Sequence, residues 1–410
     1  MTKEELLRQR PQGTKDYLSE EAANMRNIEA QIREIFRLWG YREVITPTFE
    51  YYEVLRQGLG SESDQLIFRF FDREGHILGL RSDATTPIAR LAATRFADKN
   101  GVQRLCYLTN IFRYVEPGKG REREFRQAGI ELIGSSAAQA DAEVIELAAE
   151  VFKELGITSY RFDLGEVSFS LGVLAESGLS TREQRLIRGA LLEKDFVLIE
   201  EVLAEARLPE QRRQAVEALT RLRGGLEVIS QGRTLTENQQ AHQGLDRLEE
   251  VYNLLPENLR SRVHLDLGLL KDLDYYTGVV FEGFVADLGY TVCSGGRYDR
   301  LIGGFGVERP ATGFAIGLER LLELVPVIQE EEKSVYLTAA VAWRCQAQEL
   351  AQNLRQAGVP TVICTGAGEE LGEKQIFIAG PQEYQVTKGS LVTNLSSVPA
   401  IIQFFTQEGN

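Results

Sequence analysis

Apolar residues recur at helical spacing in two long segments of the chain. In residues 20–39 they stand three or four positions apart and Gly40 follows as a stop; they are Met25, Ile28, Ile32, Phe36 and Trp39. In residues 138–155 the same spacing continues until Gly156. Both patterns predict amphipathic helices that pack one face on a core.

Other segments show the shorter patterns typical of strands. A predicted strand at residues 41–47 ends at Pro47, where the chain loses a backbone donor. Residues 66–71 and 76–80 are predicted to pair as strands around the turn 72–75, and a helix is predicted from Pro87. Strand-like sequence returns later, in residues 160–175 and 263–320.

Polar side chains alternate along one predicted strand. A strand ending in Arg113 is followed by a glycine- and charge-rich loop, after which Phe125, Gln127, Gly129 and Glu131 alternate. Because strand side chains alternate between faces, Gln127, Gly129 and Glu131 are expected on one face. An amide and a carboxyl group beside a residue without a side chain indicate the floor of a small-ligand site. A solvated strand face is the alternative, and the pattern alone leaves both open.

The predicted elements divide the chain into two parts. Residues 1–329 form the larger part, and residues 180–255 within it are predicted to be a helical insertion. This insertion opens with the capping-box pattern Ser180-Thr181-Arg182-Glu183. A further helix is predicted after Pro209 and should end at Gly224-Gly225. A charged linker at 330–333 leads to the smaller part.

Residues 334–410 are predicted to form a small α/β domain. It starts with a strand at Val335, continues with a helix at 347–356 and a strand at 359–363, and then reaches an acidic, glycine-rich stretch. The pair Gly366 and Gly368 in that stretch could belong to a phosphate loop. A turn explains the pair better, because the full dinucleotide-binding fingerprint is missing.

Composition and charge narrow the function classes. The chain has 410 residues, of which 43% are hydrophobic and 26% charged, and its formal net charge is −14. These values predict a soluble protein of two or three domains and, because a basic footprint is missing, argue against tRNA as a partner. No run approaches the roughly 20 apolar residues of a membrane span and the first residues lack a signal-peptide core, so we expect a cytoplasmic protein without membrane contact. Its four cysteines and three histidines are scattered, which predicts reduced thiols and no metal site.

Residues 112–134 resemble motif 2 of class II aminoacyl-tRNA synthetases, in the version of the histidine–tRNA ligases. The shared order is Phe-Arg, a loop with Pro and Gly, then Arg-Glu-Phe, Gln, Gly and Glu. The resemblance implies that Arg113 corresponds to the arginine that holds the α-phosphate of ATP. It also implies that Gln127 and Glu131 line the histidine pocket.

Two more segments are similar to the remaining motifs of this class. Residues 20–47 resemble motif 1, which implies a homodimer, and residues 311–320 resemble motif 3, in which Arg320 would hold the γ-phosphate of ATP. The implied fold is α+β, with a class II synthetase-like antiparallel sheet flanked by helices. Residues 334–410 would be a reduced anticodon-binding-like domain.

The segments that resemble histidine-recognition motifs carry substitutions. Asp83 stands where the ligases have the Glu that holds the substrate ammonium group, and a helix cap is its alternative role. Tyr276 matches the tyrosine that faces the imidazole and Tyr275 precedes it, although both could be ordinary core aromatics. Lys271 and Asp272 replace an Arg-Gly pair. Lysine cannot form the bidentate fork of arginine and Asp272 adds negative charge, so this catalytic position is degenerate.

The substitutions relative to the ligase motifs affect activation and tRNA recognition but spare the amino-acid pocket. Residues that match the amino-acid pocket persist, whereas those for adenine, the catalytic arginine and the tRNA-reading domain are changed. This pattern resembles the family of ATP phosphoribosyltransferase regulatory subunits. The resemblance implies a short-form catalytic subunit as partner, histidine as the allosteric ligand in the first step of histidine biosynthesis, and a homodimer within a hetero-oligomer. No catalytic residues and no cofactor are expected, and Arg113 and Arg320 would be a vestigial ATP site.

Two other functions stay open at this point. The first is a histidine–tRNA ligase with an atypical active site. The second is a free-standing amino-acid-binding module that regulates no transferase.

Overall fold

The computed structural model describes residues 3–59, 63–99, 101–116, 122–271, 273, 275–286, 288–326, 334–364 and 372–406. The chain divides into two compact units, Met1–Val327 and Ile328–Asn410. Three predicted features lie outside the described residues: the linker 330–333, the pair Gly366 and Gly368, and the side chain of Asp272.

The first unit is organised around its strands. In chain order these are β1 (Arg42–Glu43), β2 (Phe49–Tyr51), β3 (Arg69–Phe71), β4 (Ile77–Leu80), β5 (Gln103–Phe112), β6 (Glu124–Ile133), β7 (Tyr160–Glu166), β8 (Arg223–Gly224), β9 (Val263–Asp266), β10 (Val279–Val285), β11 (Thr291–Arg297) and β12 (Ala311–Gly317). Nine of them form one sheet in the order β1-β5-β6-β12-β11-β10-β7-β9-β8, and β2-β4-β3 form a small second sheet.

The large sheet is antiparallel through its centre. All pairings from β5 across to β7 are antiparallel, whereas β1 joins β5 and β9 joins β7 in parallel. Antiparallel sheets can present one face to a core and leave the other for a site. The predicted fold class, an α+β protein with a helix-flanked antiparallel sheet, is confirmed.

Helices cover one face of this sheet. The helices of the first unit are α1 (Lys3–Leu6), α2 (Ser19–Leu38), α3 (Tyr52–Gly58), α4 (Thr85–Arg95), α5 (Ala138–Glu154), α6 (Val167–Glu176), α7 (Thr181–Glu193), α8 (Phe196–Glu205), α9 (Glu210–Ala218), α10 (Glu227–Arg233), α11 (Gln239–Leu254), α12 (Glu257–Arg260) and α13 (Leu318–Leu322). The predicted stripe of α2 is buried at Ile28, Ile32 and Phe36, which share a core with Ile130 and Phe314 of the sheet. Burying each such side chain contributes roughly 1.5–3 kcal/mol to the stability of the fold, so this helix face serves packing.

The strand predicted for residues 160–175 is too long. Residues 160–175 are strand only as far as Glu166, where α6 begins. The Glu166 side chain accepts the backbone N–H of Phe169 at 3.1 Å and so caps the new helix. Its buried residues Val167, Ser170 and Val173 then follow helical spacing. The local β-propensity of this stretch hides that spacing.

The insertion contains one strand besides its helices. The capping box at Ser180 and Glu183 is present as predicted. The helix predicted to reach Gly224-Gly225 instead ends at Ala218, because Arg223 and Gly224 pair with β9 as the edge strand β8.

No helix in the described ranges of the chain has the length and apolarity that crossing a bilayer requires.

The second unit has its own mixed sheet and core. Its strands are β13 (Val335–Ala339), β14 (Thr361–Ile363), β15 (Lys374–Gly380), β16 (Glu383–Lys388) and β17 (Leu391–Leu395), in the sheet order β14-β13-β15-β16-β17. Its helices are α14 (Arg344–Gln356) and α15 (Val398–Thr406). Leu350 and Leu354 of α14 pack with Leu337 and Ile376 of the sheet, so this unit buries an independent core.

Candidate functional site

The candidate site is built on the face of the central sheet opposite the helix-covered core. The register aligns one row of residues across five strands: Tyr107 (β5), Gly129 (β6), Ala315 (β12), Ser294 (β11) and Glu282 (β10). Directly paired residues point to the same face of a sheet. Gln127 and Glu131 stand two residues on either side of Gly129, so they share this face as the alternation predicted.

Glycine keeps this face open where side chains come close to the backbone. A Cβ atom on Gly129 would collide with the Tyr107 hydroxyl and would lie 2.5 Å from the carbonyl oxygen of Phe314. A Cβ atom on Gly313, which pairs with Glu131, would collide with the Glu131 carboxyl group. The two glycines therefore let Tyr107 and Glu131 lie close over the sheet.

Glu131 is a buried acid held by hydroxyl groups. The Thr85 hydroxyl donates to its Oε1 at 2.7 Å, and the Tyr298 hydroxyl donates to its Oε2. Burial raises the pKa of Glu131 to about 8, although both hydroxyl donors favour the ionised form. No described lysine or arginine forms an ion pair with this carboxyl group, so a cationic ligand would lower its pKa and favour the ionised form.

Asp83 lies at the start of α4. Its Oδ1 accepts the backbone N–H of Thr86 at 2.6 Å, and its Oδ2 accepts the Thr86 hydroxyl at 3.1 Å. The capping role that the sequence left open is therefore present. Burial raises the pKa of Asp83, while the Thr86 hydrogen bonds and the Arg113 charge lower it. Its contact with a ligand ammonium group stays a prediction.

Three tyrosines stand together beside these acids. The ring centroids of Tyr275 and Tyr276 are 4.7 Å apart, and those of Tyr275 and Tyr298 are 5.5 Å apart. Burial raises the pKa of each phenol, so all three are neutral and can both donate and accept hydrogen bonds. Tyr275 belongs to the core cluster under α4, which is the alternative that the sequence left open, whereas Tyr276 is half-buried.

Lys271, which the resemblance places at a degenerate catalytic position, is hydrogen-bonded by its ammonium group to two neighbouring side chains. Its ammonium group donates to Glu282 Oε1 at 2.7 Å and to Ser294 Oγ at 2.8 Å. Glu282 and Ser294 are paired across β10 and β11 on the same face as Glu131. The Lys271 side chain is only 7% exposed. Its positive charge is thus offset within the protein, where a synthetase needs it for the substrate.

Arg113 and Arg320, which the resemblance assigns to a vestigial ATP site, both donate hydrogen bonds to main-chain carbonyl groups. Arg113 Nε donates to the Ser82 carbonyl oxygen at 2.9 Å, and Arg320 donates to the Thr291 carbonyl oxygen. The Arg320 guanidinium also lies 5.0 Å from the ring centre of Tyr290. Burial lowers the pKa of Arg320; Tyr290 opposes this shift and the charge of Arg113 adds to it.

Comparisons with known proteins identify the family. The family model for histidyl-tRNA synthetase matches residues 13–321. An ATP phosphoribosyltransferase regulatory subunit from Desulforamulus reducens is 39% identical over 85% of this chain and 88% of its own length. Another from Moorella thermoacetica is 43% identical over 77% of this chain and 81% of its own length. The chain belongs to the ATP phosphoribosyltransferase regulatory subunit family.

Solved structures support the regulatory subunit family and its fold. A crystal structure from Bacillus halodurans, described as an ATP phosphoribosyltransferase regulatory subunit/histidyl-tRNA synthetase, is 34% identical with a TM-score of 0.78, and covers 88% of this chain and 93% of its own. Histidyl-tRNA synthetase from Nostoc sp. PCC 7120 is 21% identical with a TM-score of 0.74 over 97% of this chain and 98% of its own. The second likeness concerns the fold alone. The resemblance drawn from the motifs is confirmed.

The structure of the present chain adds four residues to those that the sequence analysis assigned to the site. Thr85 and Tyr298 hold Glu131, Tyr107 covers Gly129, and Glu282 neutralises Lys271. Period-two alternation could have placed Tyr107 and Glu282 on the site face, because each lies in a strand of known direction. The contacts of Thr85 and Tyr298 depend on packing between distant segments, which no local pattern carries.

One cluster of metal-type ligands lies away from this site. Asp72, Glu74 and His76 bring one ligand atom each within 4.8 Å of one another in the turn between β3 and β4. Asp72 Oδ1 accepts the backbone N–H groups of Glu74 and His76, and its Oδ2 lies 2.9 Å from His76 Nδ1. These contacts explain the cluster as a hydrogen-bonded turn.

Proposed function

We propose that this chain is the non-catalytic regulatory subunit of a cytoplasmic ATP phosphoribosyltransferase. It is required for activity of a short-form catalytic subunit, and histidine bound in its synthetase-like pocket gives feedback in the first step of histidine biosynthesis. One contrast carries the proposal. The buried acid Glu131 lies beside a cluster of tyrosines, whereas Lys271, which matches the catalytic arginine of the ligases, is paired with Glu282 at 2.7 Å.

The pocket chemistry suits histidine. Its ammonium group and imidazole N–H are donors, and Asp83 and Glu131 offer buried carboxyl oxygens without a described ion-pair partner. Gln127 lies on the same sheet face at the more exposed end and can donate to a carboxylate. Tyr276 supplies a half-buried aromatic ring beside them.

The Lys271–Glu282 pair on the same sheet face also argues against ligase activity. Forming an adenylate needs fixed positive charge on phosphate oxygens that become more negative in the transition state. The Lys271–Glu282 pair presents no net charge there, and a lysine lacks the bidentate geometry of arginine. Removing one such stabiliser costs on the order of 3 kcal/mol, or about 100-fold in rate.

The exposed face of the small sheet supports the homodimer in this proposal. Phe49 and Tyr51 on β2 are about half exposed, and their cross-strand neighbours Leu80 and Leu78 are apolar. Phe70 of β3 pairs with Leu78 and continues the patch. We name Phe49, Tyr51, Phe70, Leu78 and Leu80 the β2–β4 face. An exposed apolar face is typical of an interface, and a second copy fits a twofold arrangement.

The central experiment is a reconstituted transferase assay. Formation of phosphoribosyl-ATP by the short catalytic subunit is measured with and without this chain, and histidine is then titrated. We expect activity only with the chain and inhibition by histidine. Glu131→Gln should weaken that inhibition at least tenfold, whereas Glu257→Gln, on exposed α12, should leave it unchanged. Histidine binding with no effect on the transferase would instead indicate a free-standing binding module.

The second candidate function, an atypical histidine–tRNA ligase, is favoured by one observation. Arg113 and Arg320 are both retained at the positions that match the phosphate-binding arginines of the ligases. Histidine-dependent exchange of pyrophosphate into ATP tests it directly. Adenylate formation and tRNA charging at ordinary turnover would overturn the non-catalytic assignment.

A further inference from the structure

A second, strongly acidic cavity lies near the start of α2 and the end of α13. Its volume is about 240 Å³. The described residues that line it include five glutamates and one lysine: Glu20, Glu21, Glu122, Glu319, Glu323 and Lys15. None of the residues that line it belongs to the set around Glu131, so it is a separate feature of the first unit.

Three residues that line the cavity carry oxygen atoms that accept no hydrogen bond from described residues. They are Asn24 Oδ1, Glu122 Oε2 and Glu319 Oε2. Asn24 is only 3% exposed, so its amide oxygen is a buried acceptor. A buried polar group without a partner destabilises the folded protein, and a ligand with N–H donors would offset that cost.

The charge of the cavity also calls for a cation. Lys15 is paired with Glu21 at 2.8 Å, which leaves the other glutamates to repel one another. Burial raises the pKa of both Glu122 and Glu319. The charge of Glu323 raises the pKa of Glu122 further, whereas the charges of Lys15 and Arg10 lower it. A positive ligand would relieve this repulsion as well as the burial penalty.

Size and spacing separate an organic cation from a metal ion. Among described residues, the cavity holds no three carboxylates with oxygen atoms within 4.8 Å of one another. A hard divalent cation needs its oxygen ligands close around one point. A volume of about 240 Å³ far exceeds the roughly 30 Å³ of one water molecule, so it accommodates a longer molecule with several donors.

We propose that this cavity binds an aliphatic diamine or polyamine, whose ammonium groups pair with Glu122 and Glu319 and donate to Asn24. Glu319 links the cavity to the sheet, because its Oε1 accepts the backbone N–H of Arg126 at 2.8 Å and the Tyr17 hydroxyl at 3.0 Å. Arg126 precedes Gln127 on β6. Occupancy of the cavity therefore acts on the strand that carries the candidate histidine pocket.

Calorimetric titration of the full chain with spermidine, and separately with putrescine, tests the proposal at 150 mM salt. We expect one site per chain for at least one of them. Glu122→Gln should weaken binding at least tenfold, since it removes a charge from a side chain whose Oε2 has no described partner. Glu257→Gln removes an exposed charge elsewhere and should change nothing. The ligand should raise Tm of the wild type and of Glu257→Gln, and by less for Glu122→Gln.

Three results would overturn the proposal. The first is no heat with either amine. The second is many equivalent weak sites that Glu122→Gln does not alter, which is what diffuse attraction to a chain of net charge −14 would give. The third is stoichiometric Mg²⁺ binding that depends on Glu122 and excludes the amines, because it would assign the cavity to a metal ion. A cooperative thermal transition of unliganded Glu122→Gln, with a Tm no lower than that of the wild type, confirms that the variant is folded.

Discussion

At the scale of single residues, the chemistry of the site depends on how each buried charge is balanced. The positive charge of Lys271 is neutralised by Glu282, and its ammonium group also donates a hydrogen bond to Ser294. Glu282 and Ser294 lie on the sheet face that carries Glu131. Glu131 has only hydroxyl partners among the described residues. The face therefore contains one internally satisfied ion pair and one acid that a ligand can satisfy, which suits binding better than catalysis.

The ion pair gives the first prediction. Lys271→Met leaves Glu282 partly buried without its cation and should lower the free energy of unfolding by about 3 kcal/mol. The double variant Lys271→Met/Glu282→Leu removes both charges and should recover most of that loss. Urea unfolding of the three proteins measures these changes.

An exposed pair provides the matched control. Lys153 contacts Glu150 at 3.3 Å but its side chain is 65% exposed. Lys153→Met should therefore cost less than about 1 kcal/mol. If Lys271→Met were equally mild, Glu282 would not depend on Lys271, and the argument for a neutralised catalytic position would lose its support.

The raised pKa of Glu131 gives a prediction of pH dependence. Below pH about 4.5 the carboxyl group is protonated in both the folded and the unfolded chain. Between 4.5 and about 8 the unfolded chain ionises while the folded protein keeps the proton. This group therefore lowers stability as pH rises through that range, by at most roughly 1.4 kcal/mol per pH unit.

Glu131→Gln isolates this contribution from other buried acids, such as Glu166 with a pKa raised to about 7 by burial. Urea unfolding is measured from pH 5 to pH 8.5 for both proteins. The wild type should lose stability relative to Glu131→Gln as pH rises. Parallel curves would show that Glu131 is ionised in the folded protein.

At the scale of elements, β6 is where packing and site meet. Its alternate residues Ala128, Ile130 and Leu132 are buried in the helix-covered core, and Gln127 and Glu131 face the site. A strand used on both faces tolerates no slip of register, because a shift of one residue would exchange the two sets.

Gly129 tests how tightly that strand is packed. Gly129→Ala places a methyl group 2.5 Å from the carbonyl oxygen of Phe314, a backbone atom that cannot turn aside. We expect a loss of about 2–3 kcal/mol in unfolding free energy. In contrast, Gly189→Ala on α7 meets nothing within 4 Å and should gain about 0.5–1 kcal/mol from helix propensity. A neutral result for Gly129→Ala would mean that β6 and β12 can separate at low cost.

The same element shows how far the sequence could predict this molecule. Alternation and the glycine at position 129 were enough to place Gln127 and Glu131 on one face, because both signals are local. Alternation also places Glu282 on the site face, but its pairing with Lys271 depends on sheet register, and the contact of Tyr298 with Glu131 depends on packing between distant segments. The helix after Glu166 is not predicted from the sequence, because Val167, Phe169 and Val173 give its buried face a strand-like composition. Whether Asp83 also binds a ligand remains a prediction beyond its hydrogen bonds to Thr86.

At the scale of the whole molecule, regulation requires surfaces as well as a pocket. A regulatory subunit acts on a partner only if ligand binding favours one assembled state over another. The first unit presents the β2–β4 face, where Phe49 and Phe70 pack edge to face at 5.9 Å and remain substantially exposed. In the proposed homodimer, a second copy of the chain would cover this apolar face.

Phe49→Lys is the test of that assembly. In a twofold interface the substitution enters twice, so two buried ammonium groups would face an apolar surface and the dimer dissociation constant should rise at least 100-fold. Sedimentation equilibrium of the full chain should show a dimer for the wild type and mostly monomer for Phe49→Lys. Val197→Lys on α8 replaces a residue of comparable exposure outside the β2–β4 face, and it should leave the dimer intact. A dimer unaffected by Phe49→Lys, or a wild-type monomer at tens of micromolar, would assign the β2–β4 face to another partner. Because the pocket lies in the same unit, a monomeric Phe49→Lys that still binds histidine would separate sensing from assembly.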